Sequence, residues 1–200
     1  MSTTAQLPAK ISLPTKGQTA NLNSVKALKA TLKWTTGEDF DLAAIAVNKS
    51  KQCVFINFSN KGDLNVFPFV KLDKDAGIGD KVDNGGNEEN MIIAKVDDDI
   101  EAIFLVSWDY GAAQGNSAAR FTNNLKIGIT AANETGADNL EVELVAPGNG
   151  ANGVVIAALV RNALGGIEFK NMSEGFKLGE TGMDGAKILA AIGMPGATNK

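Results

Sequence analysis

The residues best placed to do chemistry are Asp39 and Asp41, in the stretch Gly37-Glu38-Asp39-Phe40-Asp41-Leu42-Ala43-Ala44-Ile45-Ala46-Val47. The stretch reads as a strand that opens acidic and ends apolar. In an extended chain alternate side chains share a face, so Asp39 and Asp41 point one way while Phe40 and Leu42 point into a core. Two neighbouring carboxylates repel, and each raises the pKa of the other. A cation between them relieves that, and a cluster of oxygen ligands suits Ca²⁺. The plainer reading of the same residues is an acidic, solvated strand entrance.

A second stretch offers the same kind of ligand. Asp73 to Asn90 reads as a long polar loop carrying Asp73, Asp75, Asp80, Asp83, Glu88 and Glu89 among Gly and Asn residues. Carboxylates, amides and glycine-exposed carbonyls are the groups Ca²⁺ prefers. The loop is not an EF-hand: the Asp-x-Asp-x-Asp-Gly spacing fails at Gly77 and Ile78, and no helices flank it. Any hairpin connection is rich in Asn, Gly and Asp, but loops of this length are usually functional or disordered.

Other motifs carry less. Gly148-Asn149-Gly150-Ala151-Asn152-Gly153 matches a dinucleotide fingerprint, with Glu168 about 20 residues on. The next two apolar segments, Val154–Arg161 and Ile167–Lys170, are joined by Asn162-Ala163-Leu164-Gly165-Gly166. They read as a hairpin rather than a strand–helix–strand unit. Gly182–Lys187 lacks the spacing and hydroxyl of a P-loop. A pair of carboxylates could serve a glycosidase, and Trp34, Trp108 and Tyr110 could stack on a sugar, although strand aromatics more often pack a core.

Composition excludes more than it grants. The 200 residues hold no histidine, which removes the commonest general base, the Ser-His-Asp and Cys-His arrangements and most zinc and copper sites. Cys53 is the single cysteine, so no intramolecular disulfide forms, and its apolar surroundings Cys53-Val54-Phe55-Ile56 predict a buried, inert thiol. A net charge of −4 argues against nucleic-acid binding through bulk positive charge. Met1–Lys16 has no apolar core of a signal peptide, and no run is long enough to span a membrane as a helix. The chain reads as a cytoplasmic protein.

The elements that must position these residues are strands. Leu28, Ala30, Leu32 and Trp34 alternate with Lys29, Thr31 and Lys33, the period-two pattern of a half-buried strand. Short apolar or alternating runs recur at Cys53–Phe58, Met91–Val96, Ala102–Trp108, Leu125–Ala131, Leu140–Val145, Val154–Val160 and Ile167–Lys170, punctuated by Gly, Asn and Asp. A short strand Ile11–Leu13 precedes a turn at Lys16-Gly17-Gln18, and Gly185–Ile192 predicts the one helix. The pattern predicts an all-β fold, an antiparallel β-sandwich with a short C-terminal helix or extension. Its expected parts are a flexible tail over residues 1–10, a sandwich domain over 11–176 and an extension over 177–200.

In their order along the chain, several motifs resemble the TerD-like family, associated with tellurite resistance and general stress. Leu13-Pro14-Thr15-Lys16-Gly17 is similar to the family's opening signature with one extra residue. Asp39-Phe40-Asp41-Leu42-Ala43-Ala44 is similar to its Asp-rich strand, and Gly79-Asp80 through Glu88-Glu89 to its acidic loop. Phe121–Ile127 and the closing hairpin Val154–Phe176 complete the likeness, which covers about Ile11 to Phe176. The resemblance implies a sandwich that binds Ca²⁺ through Asp39, Asp41, Asp80 and Glu89, with loop carbonyls helping. Two departures weaken such a site: Ala43 stands where the family has a third Asp, and Glu88-Glu89-Asn90 replaces Asp-Asp-Glu. Calcium affinity follows the charge and rigidity of its ligands.

The expectation is a non-enzymatic, calcium-binding TerD-like domain serving stress or tellurite resistance, with no catalytic residues. The alternative is a structural subunit of a larger assembly, such as a phage virion protein, built on the same sandwich. The expected partners are a calcium ion and either a homo-oligomer or a larger protein assembly, without nucleic acid or membrane. Localisation is cytoplasmic, or virion under the alternative.

Overall fold

A computed structural model describes residues 11–22, 25–34, 39–74, 87–96, 98–115, 126–133, 136–143 and 150–200. The chain runs β1 (Ile11–Leu13), β2 (Thr19–Leu22), β3 (Val25–Trp34), β4 (Phe40–Asn48), β5 (Gln52–Ile56), β6 (Gly62–Asp63), β7 (Val70–Lys74) and β8 (Asn87–Ile93). It continues through β9 (Ile100–Asp109), α1 (Tyr110–Ala113), β10 (Lys126–Asn133), β11 (Gly136–Glu143), β12 (Gly153–Arg161) and β13 (Ile167–Phe176). The segment beyond holds α2 (Leu178–Thr181), α3 (Gly185–Ala191) and β14 (Thr198–Asn199). The expected tail, residues 1–10, lies outside the described residues.

Among the described residues the strands form two seven-stranded sheets, ordered β1-β11-β10-β3-β8-β7-β6 and β14-β5-β4-β9-β12-β13-β2. Neighbouring strands pair antiparallel except at two edges, where β1 lies parallel to β11 and β14 parallel to β5. The fold is the all-β sandwich that the alternation predicts.

In the first sheet, β3 alternates between a buried and a more exposed face. Leu28, Ala30 and Leu32 of β3 are buried while Lys29 is exposed, and their cross-strand partners Ile93, Met91 and Glu89 on β8 share the inward face. That alternation is what one buried face requires. In the second sheet, β4 is buried at every position from Phe40 to Asn48, and β9 at all but Glu101. One of its faces meets the first sheet. The other is covered by the segment after β13, where Leu178, Ile188 and Leu189 are buried. A Cβ added at Gly185 would lie 3.3 Å from Ile45 Cγ2 and 3.6 Å from Cys53 Sγ, so α3 rests directly on β4 and β5. Leu178, Ile188 and Leu189 of this segment are thus part of the core.

Trp108 and Phe169 are fully buried, as core aromatics rather than a sugar platform. The glycine-rich stretch that resembled a nucleotide loop leads into β12, whose partner β13 returns through a tight turn. Asn162 organises that turn: its Oδ1 accepts from Leu164 N and Gly166 N at 3.0 and 2.9 Å. A hairpin occupies the place where nucleotide binding would need a helix.

Candidate metal centre

β4 is central to its sheet, and its acidic end projects past the strand on one side. β5 pairs with β4 only over Ala44–Val47, beginning at Ala44↔Ile56. On the other side β9 accompanies β4 to the end, with Phe40 opposite Asp109 and Asp41 opposite Trp108. The Leu42 amide therefore points where β5 has already turned away. Glu89 fills the gap: its Oε2 accepts the Leu42 N–H at 2.6 Å. The bond joins the two sheets at the start of the acidic stretch.

Strand alternation sorts the acidic residues. Asp41 lies on the face of β4 that bears Ile45, whereas Phe40 and Leu42 take the opposite face. Asp41 is 6% exposed and Glu89 is 1% exposed. Asp39 is half-buried, and its carbonyl accepts the Tyr110 N–H at 2.7 Å, which pins the mouth of β4 to the end of β9. The expectation of a solvated strand entrance is not met at Asp41, which is buried.

Glu88, Glu89 and Asn90, expected in a loop, lie on β8. The strand divides them. Glu89 faces inward, while Asn90 accepts from Thr31 Oγ1 at 2.8 Å and donates to Glu88 Oε1 at 3.1 Å on the outer face. The physical reason is pairing: β3 offers Leu32 and Thr31 as partners for Glu89 and Asn90, so the ladder runs through residues of low strand propensity. Asp80, with the rest of 75–86, lies outside the described residues.

Asp109 is an acidic residue that sequence reasoning missed. It ends β9, is 6% exposed, and its Oδ1 accepts the Gly111 N–H at 2.7 Å, turning the chain into α1. The signal was an Asp closing a long apolar strand beside a Gly-containing turn. Beside it, Ser107 Oγ and Trp108 Nε1 are buried without a hydrogen-bond partner among the described residues. Cys53, expected to be buried and inert, is 1% exposed. Burial, and then the charge of Asp184, push its thiol pKa up.

Asp39, Asp41, Asp109 and Glu89 thus lie at one end of the β4–β9 pair, and all offer oxygen, but Asp41 is on the face of β4 that bears Ile45 while Glu89 reaches Leu42 from the first sheet, on the other side. Among the described residues, no group of three or more Cys, Asp or Glu side chains is close enough to hold an ion by itself. The donor chemistry is nevertheless that of a hard cation.

No family model matches the sequence, and no curated protein does. In three dimensions, the chain matches the crystal structure of a homologue of the telluride resistance protein TerD from Streptomyces coelicolor A3(2). The match covers 88% of this chain and 100% of that chain, with a TM-score of 0.54 and 19% identity. The fold is TerD-like. At that identity the likeness is one of architecture, and function must be argued from the site. No helix among the described residues is long and apolar enough to cross a membrane.

Proposed function

We propose that the chain is a non-enzymatic, calcium-binding TerD-like domain that acts in stress or tellurite resistance. Asp39, Asp41 and Glu89 are its ligands on the strands, and Asp80 is the ligand from the acidic loop. The observation that carries the reading is the burial of Asp41 and Glu89 at one end of β4, with Glu89 anchored to the backbone at Leu42, the residue after Asp41. Taking carboxylates out of water is costly unless cations or donors compensate them. Ca²⁺ takes six to eight oxygen ligands at about 2.3–2.6 Å, so loop carbonyls and water complete such a shell. Ala43 removes one carboxylate from the family's pattern and lowers the expected affinity.

The test is the paired variant Asp41→Asn with Asp80→Asn. An ion that binds only the folded state raises its stability by mass action. The variant is expected to fold without calcium as the parent does and to gain nothing when calcium is added. Retention of the full calcium-dependent gain contradicts the ligand assignment.

A second reading is a structural subunit of a larger assembly, such as a phage virion. It draws on Ala43 at a ligand position and on the segment 177–200, which lies beyond the resemblance to the family. Light scattering separates the two, because a subunit of this kind forms a large species whether or not calcium is present.

A further inference from the structure

The edge of the second sheet is closed by a short strap. After α3 the chain turns through Gly193 and Gly196, both at positive φ (81° and 103°), with Pro195 between them. It then lies parallel to β5 as β14. Thr198 N donates to Lys51 O at 2.9 Å and Lys200 N to Cys53 O at 3.0 Å. Asn199 supplies the side-chain recognition. Its Oδ1 accepts from Cys53 Sγ and from Ala186 N, both at 3.3 Å, and its Nδ2 donates to Asp184 Oδ1 at 2.9 Å. Lys200 Nζ stands 5.2 Å from the centre of the Phe67 ring.

Both residues of β14 are exposed, and the strap is held by backbone pairing, one polar side chain and the half-buried Ala197, which packs on the core. Those are the terms on which an edge strand accepts an added strand: main-chain bonds for affinity, one side chain for register. The hinge contains no regular structure and begins where Met194 N donates to Leu189 O at 2.9 Å. Among the described residues, the hydrogen-bond and ring partners of residues 198–200 lie before it, at Lys51, Cys53, Phe67, Asp184 and Ala186.

We infer that the β5 edge is a strand-docking site, filled here by residues 197–200 of its own chain and open to the same segment of a second copy. An exchanged strap makes the same bonds to the receiving chain, so exchange costs only the advantage of intramolecular closure. That advantage falls away where copies are crowded together. Strap exchange is independent of calcium binding.

Two experiments test it. Deleting Pro195 and Gly196 withdraws roughly 7 Å of reach, at ~3.5 Å per residue, and prevents return to the same edge. The shortened chain is expected to form dimers or larger species by light scattering, with Cys53 as resistant to a thiol reagent as in the intact chain. Adding Thr198→Pro removes the N–H that Lys51 O accepts. That chain should be monomeric, with Cys53 reacting roughly tenfold faster for the loss of a hydrogen bond and its cover. A shortened chain that stays monomeric with a reactive Cys53 overturns the inference.

In the full-length chain, Asn199→Cys places a second thiol beside Cys53. With oxidised glutathione it should give intramolecular disulfides when dilute, and disulfide-linked dimers as the concentration approaches the millimolar range typical of short flexible linkers. Intramolecular product alone at every concentration also overturns the inference.

Discussion

Glu89 Oε2 lies 2.6 Å from the Leu42 amide nitrogen, so a carboxylate of one sheet closes a backbone donor of the other. The contact gives Glu89 a role that needs no ion: it satisfies the N–H left open where β5 parts from β4. It also fixes a buried carboxylate at the acidic end of β4.

These two roles can be separated. Glu89→Gln keeps an oxygen for the Leu42 amide but loses the charge, whereas Glu89→Ala leaves the amide buried and unsatisfied. In chelator, urea unfolding should show Glu89→Ala destabilised by about 1–3 kcal/mol and Glu89→Gln by clearly less. Equal losses would mean that the hydrogen bond is not what the side chain contributes.

Ser107 sits opposite Leu42, fully buried, and its hydroxyl has no hydrogen-bond partner among the described residues. An unpaired buried hydroxyl costs more than the methyl that would replace it. Ser107→Ala should therefore raise stability, by about 1 kcal/mol. Loss of stability in the same unfolding assay would show that the hydroxyl is favourable where it lies.

Gly153 pairs with Phe176 in the β12–β13 ladder, and the Phe176 ring occupies the space of its missing side chain. A Cβ there would sit 2.3 Å from Phe176 Cζ. Gly153→Ala should cost about 1–3 kcal/mol, as overpacking does. Phe176→Leu should return part of that cost, and purely additive losses would place the strain elsewhere.

Asp184 and Cys53 bound the pH range of the strap. The Asn199 amide, then the Lys187 N–H, hold the Asp184 pKa below its ordinary value of 3.8. The charged form is favoured in the fold, so its contribution is present above that value and lost as pH falls through the lowered one. Burial, then the Asp184 charge, hold Cys53 above 9.0. Its neutral form is favoured, so that contribution is full below 9.0 and lost as pH rises through the raised value. Asp184→Asn should flatten the acid side of the stability profile and bring thiol reactivity to lower pH. Cys53→Ser should flatten the alkaline side. An unchanged thiol profile in Asp184→Asn would show that its charge does not reach Cys53.

The sandwich was legible because its signal is local. Leu28, Ala30 and Leu32 against Lys29 state one wet face within a few residues, and Asn162 with Gly165 and Gly166 states a hairpin. The features that escaped depend on contacts distant in sequence. Asp41 looked solvated because its own neighbourhood in sequence is acidic and polar, and nothing there announces that the folded chain buries it. Glu88-Glu89-Asn90 looked like a loop because their strand is imposed by β3, far back along the chain. β14 escaped because two polar residues have no period. Asp109 could have been found as an acid ending an apolar strand, but its nearness to Phe40 is a matter of register, which a sequence does not print.

The central claim is that a calcium ion joins the carboxylates at the acidic end of β4. The direct measurement is thermal unfolding in millimolar Ca²⁺ against excess chelator, with Mg²⁺ at the same concentration as comparator. A ligand at 100 times its dissociation constant stabilises the fold by about 2.7 kcal/mol, a rise of several degrees in Tm. The account predicts that rise for Ca²⁺, little for Mg²⁺, and none in the Asp41→Asn, Asp80→Asn variant. Identical Tm values in calcium and chelator would contradict it, leaving Glu89 as a structural carboxylate only.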